Sequence, residues 1–264
     1  FTVTNDLTYD RRMQRICTTL ANNGFKVTLV GRKLQHSLPP ASYPFRQERL
    51  QCFFNKGKLF YLEYNLRLLF FLIGFKADIF CAIDLDTIAP VFIVARLRGK
   101  PKVYDAHEYF SEVPEVVDRP LVKSVWEAVA RWFIPKADLC YTVGPELAKV
   151  MTERYWQPFE VVRNVPYSTK FEAKRPGSYL LYQGALNEGR GLEATIKAMQ
   201  YIDMPLKIAG EGDLSAKLRD MVKTYGLQDK VEFLGFVKPE ALPALTKGAF
   251  LGLNLLANKS LNYY

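Results

Sequence analysis

Short runs of β-branched and aromatic residues alternate with amphipathic stretches along the whole chain, at intervals of roughly 20 to 35 residues. This alternation is typical of βαβ units, in which helices connect the strands of a parallel sheet. Residues 7–23, for example, place Met13, Ile16, Cys17 and Leu20 on one face of a helix. The pattern therefore predicts an α/β fold.

The alternation falls into two series. In the first, strands are predicted at 1–4, 26–30, 79–83, 102–104, 139–142 and 160–163, and helices at 7–23, 59–74, 86–98, 119–135 and 145–155. In the second, strands are predicted at 179–182, 205–209, 231–234 and 250–253, and helices at 192–202, 213–225 and 239–246. The polar segment 167–178 is predicted to link a first domain, residues 1–170, to a second domain, residues 171–264.

The ends of the sequence suggest a piece of a longer protein. The chain has 264 residues, of which 49% are hydrophobic, which excludes a disordered or collagen-like chain. It opens without Met and stops after the fourth strand of the second series, and four strands would leave a sheet edge uncovered. We expect the second domain to be incomplete.

Positive charge is concentrated at one end of the sequence. The net charge is +9, and residues 1–102 hold 16 basic and 7 acidic side chains, a difference of +9. Such an excess fits an anionic partner, such as a lipid surface or a sugar phosphate, or a solvated basic surface. We do not expect nucleic acid as a partner, because no Lys/Arg run or nucleic-acid motif is present.

The four cysteines do not form a metal-binding or disulfide pattern. Cys17, Cys52, Cys81 and Cys140 are separated by 35, 29 and 59 residues, so no CxxC pair exists. Cys81 and Cys140 lie in apolar runs and are predicted to be reduced core residues. This usage favours a cytoplasmic protein.

The most membrane-like segment is residues 58–76. Its longest uncharged run has only eight residues, 68–75, whereas about 20 are needed to span a bilayer. Two interpretations remain: a core helix packed on a sheet, or an interfacial patch flanked by Arg67 and Lys76. No signal peptide is visible.

A glycine-rich segment, residues 182–192, connects a strand and a helix of the second series. Gly184 permits a sharp turn, and Gly189 and Gly191 bring backbone N–H groups close to the helix start. Together with Arg190 they would form a phosphate site. A simple connection with a solvated arginine is the alternative, because the segment matches neither a Walker loop nor G-x-G-x-x-G.

A second glycine turn, residues 208–213, follows the next strand. Ligands of open α/β sheets bind beyond the carboxyl ends of the strands, so Gly210 and the first glycine loop are predicted to face one cavity. Asp213 is predicted to be the N-cap of the following helix.

In the first series, the segment 104–110 follows a strand and contains His107, one of two histidines. Asp105 and Glu108 lie nearby, so a carboxylate would orient the imidazole toward a substrate hydroxyl or phosphate. A structural histidine is the alternative. His36 lies in a Pro/Ser-containing loop without such partners.

The first strand leads into a charged segment, residues 5–12. Asp10 has a ready structural role near a helix N-terminus, where a carboxylate is favourable. Arg11 and Arg12 do not, and one of them is predicted to hold an anionic ligand.

In their order and spacing, these segments resemble the family-4 glycosyltransferases of the GT-B fold. The matching segments are NDLTYDRRMQRICTTLANNGFKVTLVG, KADIFCAID, YDAHEYF, ADLCYTVGPELAKVM, VVRNVP, YLLYQGALNEGRGLEATIKAM, LKIAGEGDL and KVEFLGFVKPEALPAL. The resemblance implies two Rossmann-like domains facing a cleft, the first holding an acceptor and the second a nucleotide-diphosphate-sugar donor. It further implies transfer with retention of configuration, without a metal or another cofactor.

The resemblance also assigns roles to individual residues. His107 corresponds to the catalytic histidine that contacts the donor sugar, and Arg190 to the basic residue that binds the diphosphate. The remaining donor-binding positions are Gln183, Gly184, Gly191, Gly210 and Phe236. The acceptor or cleft positions are Asp10, Arg12, Asp105 and Asn164.

Two departures from the family pattern stand out. Ala185 occupies a position that is basic in many relatives, so diphosphate binding would depend more on Arg190. The paired glutamates of the family would come just after Tyr264, and we therefore expect no turnover by these 264 residues alone.

The implied acceptor is a glycan, a lipid-linked molecule or a small molecule, in cell-envelope polysaccharide biosynthesis. The charge of the first domain favours an anionic acceptor or peripheral contact with an anionic membrane. Two alternatives stay open: a non-catalytic GT-B-like protein that binds a nucleotide or an anionic surface, and a GT-B epimerase that acts on the nucleotide-sugar.

Overall fold

The computed structural model describes residues 1–117, 119–165, 177–257 and 262. They belong to two compact units, unit 1 over Phe1–Val165 and unit 2 over Pro166–Tyr263. The predicted domain boundary after residue 170, and residues 167–176 of the predicted linker, lie outside the described residues.

Unit 1 is an α/β unit whose described strand pairings are all parallel. Its strands are β1 Thr28–Lys33, β2 Arg46–Gln51, β3 Phe80–Ile83, β4 Lys102–Ala106, β5 Leu139–Thr142 and β6 Phe159–Val161. Its helices are α1 Arg11–Asn22, α2 Gly57–Gly74, α3 Ile88–Leu97, α4 Pro114–Val117, α5 Pro120–Phe133 and α6 Pro145–Tyr155. The strand orders are β1-β2 and β3-β4-β5-β6.

The N-terminal segment joins these two groups of strands. Thr2 forms parallel bridges to Val30 of β1 and to Ala82 of β3. The strand predicted at residues 1–4 is thus a short bridging segment in the middle of the sheet. Every residue of β3 is buried, as expected for a central parallel strand covered on both faces.

Helix α2 packs one face against the core of unit 1. Phe60, Tyr64, Leu68 and Leu72 recur every four residues and are all buried. The inner face of α2 therefore packs in the core, which confirms the interpretation of this segment as a core helix. Among the described residues, no helix is long and apolar enough to cross a membrane.

Unit 2 contains a smaller parallel sheet in the order β10-β7-β8-β9. Its strands are β7 Tyr179–Gln183, β8 Leu206–Ala209, β9 Val231–Gly235 and β10 Ala249–Gly252. Its helices are α7 Leu192–Ala198, α8 Ser215–Thr224 and α9 Leu242–Gly248. The α/β fold predicted from the alternation is confirmed in both units. Cys81 and Cys140 are buried and free, also as predicted.

Two local predictions need correction, and one strand was missed. Helix α1 begins at Arg11 rather than residue 7, because Asp10 is its N-cap and Leu7 has a left-handed φ of 67°. Strand β2 was not predicted, because its sequence RQERLQ is mostly polar and lies at a sheet edge. Asp213 is not a helix cap: α8 has Leu214 at its N-cap position without a side-chain bond.

Candidate functional site

A pocket of about 140 Å³ lies at the carboxyl edge of the unit 1 sheet. Strands β3 and β4 are parallel and pair Ile83 with Asp105, so the residues that follow them are neighbours. The N-terminal segment contributes the third side of the pocket. The lining residues are Val3, Thr4, Asn5, Asp10, Arg12, Met13, Ile83, Asp84, Asp86 and His107.

Asp10 fixes the loop that enters helix α1. One of its carboxylate oxygens accepts a hydrogen bond from the backbone N–H of Met13 at 2.9 Å, and the other accepts from Asn5 Nδ2 at 2.6 Å. The first bond satisfies an N–H group that the helix start leaves open. The structural role predicted for Asp10 is confirmed, and the same residue lines the pocket.

Arg12 and Asp105 form a buried two-pronged ion pair. Arg12 Nη1 lies 2.7 Å from Asp105 Oδ2, and Nη2 lies 2.5 Å from Oδ1, with the residues 7% and 0% exposed. Burial alone would lower the pKa of Arg12, but the hydrogen bonds and charge of Asp105 raise it. The Arg12 guanidinium is therefore the partner of a protein carboxylate, Asp105. This pairing explains why a cation lies in the first turn of α1.

The pairing commits Asp105, one of the two carboxylates predicted near His107, to Arg12: both of its oxygens are engaged. Asp84 accepts a hydrogen bond from the backbone N–H of His107 at 3.0 Å, and orientation of the imidazole by a carboxylate stays a prediction. Asp84 has a left-handed φ of 56°, uncommon for a residue other than glycine. Its own N–H donates to the carbonyl of Asp105 at 2.8 Å, so it connects the ends of β3 and β4.

His107 is exposed to solvent and lines the pocket. The surrounding protein and, next, the charge of Arg12 lower its pKa. Because the ordinary pKa of histidine is about 6.5, the imidazole is neutral at pH 7 and has a lone pair to accept a hydrogen bond.

Asp86 adds a buried carboxyl group to the pocket. It is 7% exposed, and Thr4 Oγ1 donates to it at 2.5 Å. Burial raises the pKa of Asp86 to about 7 and raises that of neighbouring Asp84 as well. Three carboxyl groups, those of Asp10, Asp84 and Asp86, thus line the pocket, although the first 102 residues are basic overall. Sequence reasoning missed both residues, since a short Asp-Leu-Asp run after a strand has no distinctive pattern.

The raised pKa of Asp86 predicts a specific pH dependence of stability. The folded state keeps a proton that the unfolded chain loses, so the free energy of unfolding should fall as pH rises from about 4 to about 7. At 1.36 kcal/mol for each pKa unit, this group would contribute up to roughly 4 kcal/mol to that fall. Asp86→Asn should remove most of the contribution that this residue makes to the fall, while the new side chain still accepts a hydrogen bond from Thr4.

Urea unfolding at pH 4.5 and pH 7.5 measures this effect, and Glu153→Gln on the exposed surface of α6 is a matched control. A pH dependence that is equal in Asp86→Asn and Glu153→Gln would contradict the prediction.

Two glycine turns meet at the carboxyl edge of the unit 2 sheet; that they face one cavity stays a prediction. The N–H of Gly184 donates to Ala209 at 3.0 Å, and the N–H of Gly210 donates to Gly235 at 2.8 Å. A Cβ atom on Gly210 would lie 1.9 Å from the carbonyl oxygen of Gly184. The two turns therefore touch backbone to backbone.

The loop between β7 and α7 is tied to the second turn by further bonds. Leu186 is fully buried; its N–H donates to Glu211 at 3.2 Å, and its carbonyl accepts from Leu214 at 2.8 Å. The side-chain oxygen of Asn187 accepts from the backbone N–H of Asp213 at 3.3 Å. The buried leucine and these bonds attach the loop to the second glycine turn.

The predicted donor-binding residues lie around these turns. Gly191 has a φ of 64° directly before α7, and Arg190 beside it is half-buried. Gln183 Nε2 donates to Thr246 Oγ1 at 2.9 Å, and Phe236 follows β9 with its ring 62% exposed. The structure thus brings the predicted donor-binding set to one edge of the sheet.

Asn164 is not among the residues that line the pocket. Its side chain is exposed, and its oxygen accepts a hydrogen bond from Arg15 of α1. Within the described ranges, no group of three or more His, Cys, Asp or Glu side chains is arranged to hold a metal ion. Independence from metal stays a prediction.

Two family models match consecutive parts of the chain. The model of glycosyltransferase family 4 matches residues 10–166, more than half of the chain, and the model of glycosyl transferases group 1 matches residues 167–251. The chain belongs to glycosyltransferase family 4. The resemblance found from the sequence motifs is confirmed.

Two curated relatives of this family-4 chain are glycosyltransferases. The uncharacterized glycosyltransferase MJ1607 of Methanocaldococcus jannaschii is 33% identical over 102 residues, 35% of this chain and 26% of that protein. The alpha-D-kanosaminyltransferase of Streptomyces kanamyceticus is 24% identical over 218 residues, 72% of this chain and 55% of that protein. The chain thus spans about half the length, or less, of these relatives.

Solved structures share the fold of this family-4 chain. Sucrose-phosphate synthase from Thermosynechococcus elongatus has a TM-score of 0.70 at 18% identity, over 96% of this chain and 69% of that one. Anabaena HepE in complex with UDP and glucose has a TM-score of 0.69 at 14% identity, over 98% and 74%. The lipopolysaccharide outer core galactosyltransferase WaaB has a TM-score of 0.63 at 14% identity, over 97% and 73%. The predicted GT-B fold class is confirmed.

Proposed function

We propose that the protein to which this chain belongs transfers a sugar from a nucleoside-diphosphate sugar to an acceptor, with retention of configuration and without a metal. The observation that carries the proposal is the pair of consecutive family matches, which cover residues 10–166 and 167–251. In this proposal, the first domain predicted from the sequence holds the acceptor and the second holds the donor.

The donor groups of the proposal lie in unit 2. Departure of a nucleoside diphosphate places negative charge on the phosphate oxygens, which fixed N–H donors and a guanidinium stabilise. Arg190 and the backbone next to Gly189 and Gly191 supply such groups at the strand ends. Anabaena HepE, whose structure contains UDP and glucose, supports a UDP-sugar as the first donor to test.

His107 is proposed to contact the donor sugar during transfer. Its lowered pKa keeps the imidazole neutral at pH 7, so Nδ1 or Nε2 accepts a hydrogen bond from a sugar hydroxyl while the other nitrogen donates one. The bond between Asp84 and the backbone N–H of His107 holds the residue at the pocket.

The acceptor is proposed to enter the pocket of unit 1. The carboxyl groups of Asp10, Asp84 and Asp86 accept hydrogen bonds, so the pocket suits hydroxyl groups of a glycan or lipid-linked acceptor. The name of WaaB, a lipopolysaccharide galactosyltransferase, supports a cell-envelope acceptor. We also propose peripheral contact with an anionic membrane, for which the basic first third of the sequence is one support.

Titration of UDP into the chain tests the donor site. Arg190→Ala should weaken UDP binding by roughly 10-fold or more, because it removes a charge-assisted bond worth about 1.5–3 kcal/mol. Isothermal titration calorimetry measures the change. Lys197→Ala, an exposed lysine of the same helix region, removes the same charge and should leave affinity nearly unchanged. Equal affinities for UDP in the Arg190 and Lys197 variants would reject the phosphate role of Arg190.

A further inference from the structure

Helix α2 exposes a stripe of large apolar side chains on the face opposite the core. The stripe consists of Leu59, Leu62, Leu66, Phe70 and Ile73, whose side chains are 46 to 70% exposed. These residues recur every three or four positions and run about 21 Å along the helix, at 1.5 Å for each residue. We call them the outer stripe.

A second apolar face is unusual for a helix on a protein surface. The surface helix α8, for comparison, exposes Lys217, Arg219, Asp220 and Lys223 to water. Helix α2 already buries its inner face in the core, so the outer stripe is not needed to hold the helix in place. Contiguous apolar patches of more than a few hundred Å² on a monomer mark interaction sites.

The only acidic residue of α2 is engaged within the protein. The Glu63 carboxylate accepts hydrogen bonds from the backbone N–H groups of Phe53 and Phe54 at 2.9–3.0 Å, and from Arg67 Nε at 2.8 Å. These bonds and the charge of Arg67 lower the pKa of Glu63 and compensate its charge. Glu63 therefore presents no uncompensated negative charge beside the outer stripe.

The Glu63 carboxylate also holds the loop that carries a further exposed apolar side chain, that of Phe53. The Phe53 ring is 83% exposed and lies 5.2 Å from the guanidinium carbon of Arg67. Phe53 therefore adds exposed apolar surface in the loop before α2, next to Arg67 of the helix.

Exposed lysines stand at both ends of the outer stripe. Lys56 and Lys58 lie at the start of α2, and Lys76 lies just beyond its end. A second copy of the chain is a poor occupant, because a two-fold interface would bring these positive ends against one another. An apolar face flanked by lysines matches the headgroups and acyl boundary of an anionic bilayer.

We propose that the outer stripe and Phe53 dock on the surface of an anionic membrane, with α2 lying in the plane of the interface. The inference adds the binding surface to the peripheral membrane contact of the proposed function, but it does not depend on sugar transfer. Its partner is a lipid bilayer that contains acidic phospholipids.

Co-sedimentation with vesicles tests the proposal on the 264-residue chain. The chain should bind phosphatidylcholine vesicles with 30% phosphatidylglycerol and bind pure phosphatidylcholine at least about 10-fold more weakly. Leu66→Glu combined with Phe70→Glu should reduce binding to the anionic vesicles by about 10-fold or more. Exchange of Lys56, Lys58 and Lys76 for Glu should do the same and remove most of the salt dependence.

Leu121→Glu combined with Val125→Glu is the matched control. These two residues are 84% and 62% exposed on α5, and their replacement should change binding by less than about twofold. Circular dichroism of each variant establishes that it is folded. Absence of vesicle binding by the unmodified chain, or equal losses in the α2 and α5 variants, would overturn the proposal. So would a dimer in analytical ultracentrifugation that only the Leu66/Phe70 variant dissociates, since the outer stripe would then bind a second copy.

Because no nucleotide or sugar is present in the vesicle experiment, its failure would leave the UDP titration unaffected. Conversely, failure of UDP to bind would not alter vesicle binding. The two proposals are therefore tested separately.

Discussion

Asp105→Asn is expected to lower the free energy of unfolding of unit 1 by about 3–5 kcal/mol. The substitution keeps the size of the side chain but leaves the guanidinium of Arg12 buried without its counter-charge. A buried ion without a partner costs far more than the lost attraction alone, because water no longer solvates it. Urea unfolding followed by tryptophan fluorescence reports this unit, since Trp126, Trp132 and Trp156 all lie in it.

The double variant Arg12→Met with Asp105→Leu separates this explanation from a general loss of packing. It removes both charges, and replacement of a whole buried ion pair by apolar residues is often close to neutral. We expect it to be more stable than Asp105→Asn. A double variant at least as unstable as Asp105→Asn would mean that packing, rather than the unpaired charge, sets the cost.

Gly210→Ala should destabilise unit 2 by about 3 kcal/mol or more, the sum of steric clash and backbone strain. The new Cβ would lie 1.9 Å from the backbone oxygen of Gly184, far inside van der Waals contact, so the backbone of one of the two turns would have to shift. The φ of Gly210, 145°, is also one that other residues rarely adopt. Thermal unfolding by circular dichroism, with hydrogen exchange in β8 and β9, measures the loss.

Gly226→Ala is the matched control for Gly210. Gly226 also has a positive φ, 64°, but a Cβ there would meet nothing within 4 Å. This variant should lose only the strain of the left-handed backbone, about 1–2 kcal/mol. If the two variants are equally stable, contact between the glycine turns is not what requires Gly210.

The elements of the fold could be predicted where local signals are strong. Helix α6 begins at Pro145 and ends at Tyr155 as predicted, because proline marks the first turn of a helix. Strand β2 could not be predicted, because its identity depends on pairing with β1 rather than on its own polar residues.

The candidate site likewise has parts that could be predicted from the sequence and parts that could not. The glycine turns at Gly184 and Gly210 were predicted from backbone requirements that belong to glycine itself. The partner of Asp105 could not be predicted, because Arg12 lies 93 positions away in the sequence. Likewise, Asp84 binds the backbone N–H of His107 because β3 and β4 are neighbouring strands. Only the folded sheet reveals that these two strands are neighbours.

The bridging position of Thr2 has a consequence for the order in which unit 1 is assembled. Its two partners, Val30 and Ala82, lie 28 and 80 positions later in the chain. Thr2 must therefore wait for β3 before the middle of the sheet can close. Contacts of such long sequence separation slow folding, because the loop must close before its contacts form. Completion of β3 thus sets the earliest moment at which β1 and β2 can join the rest of the unit 1 sheet during synthesis.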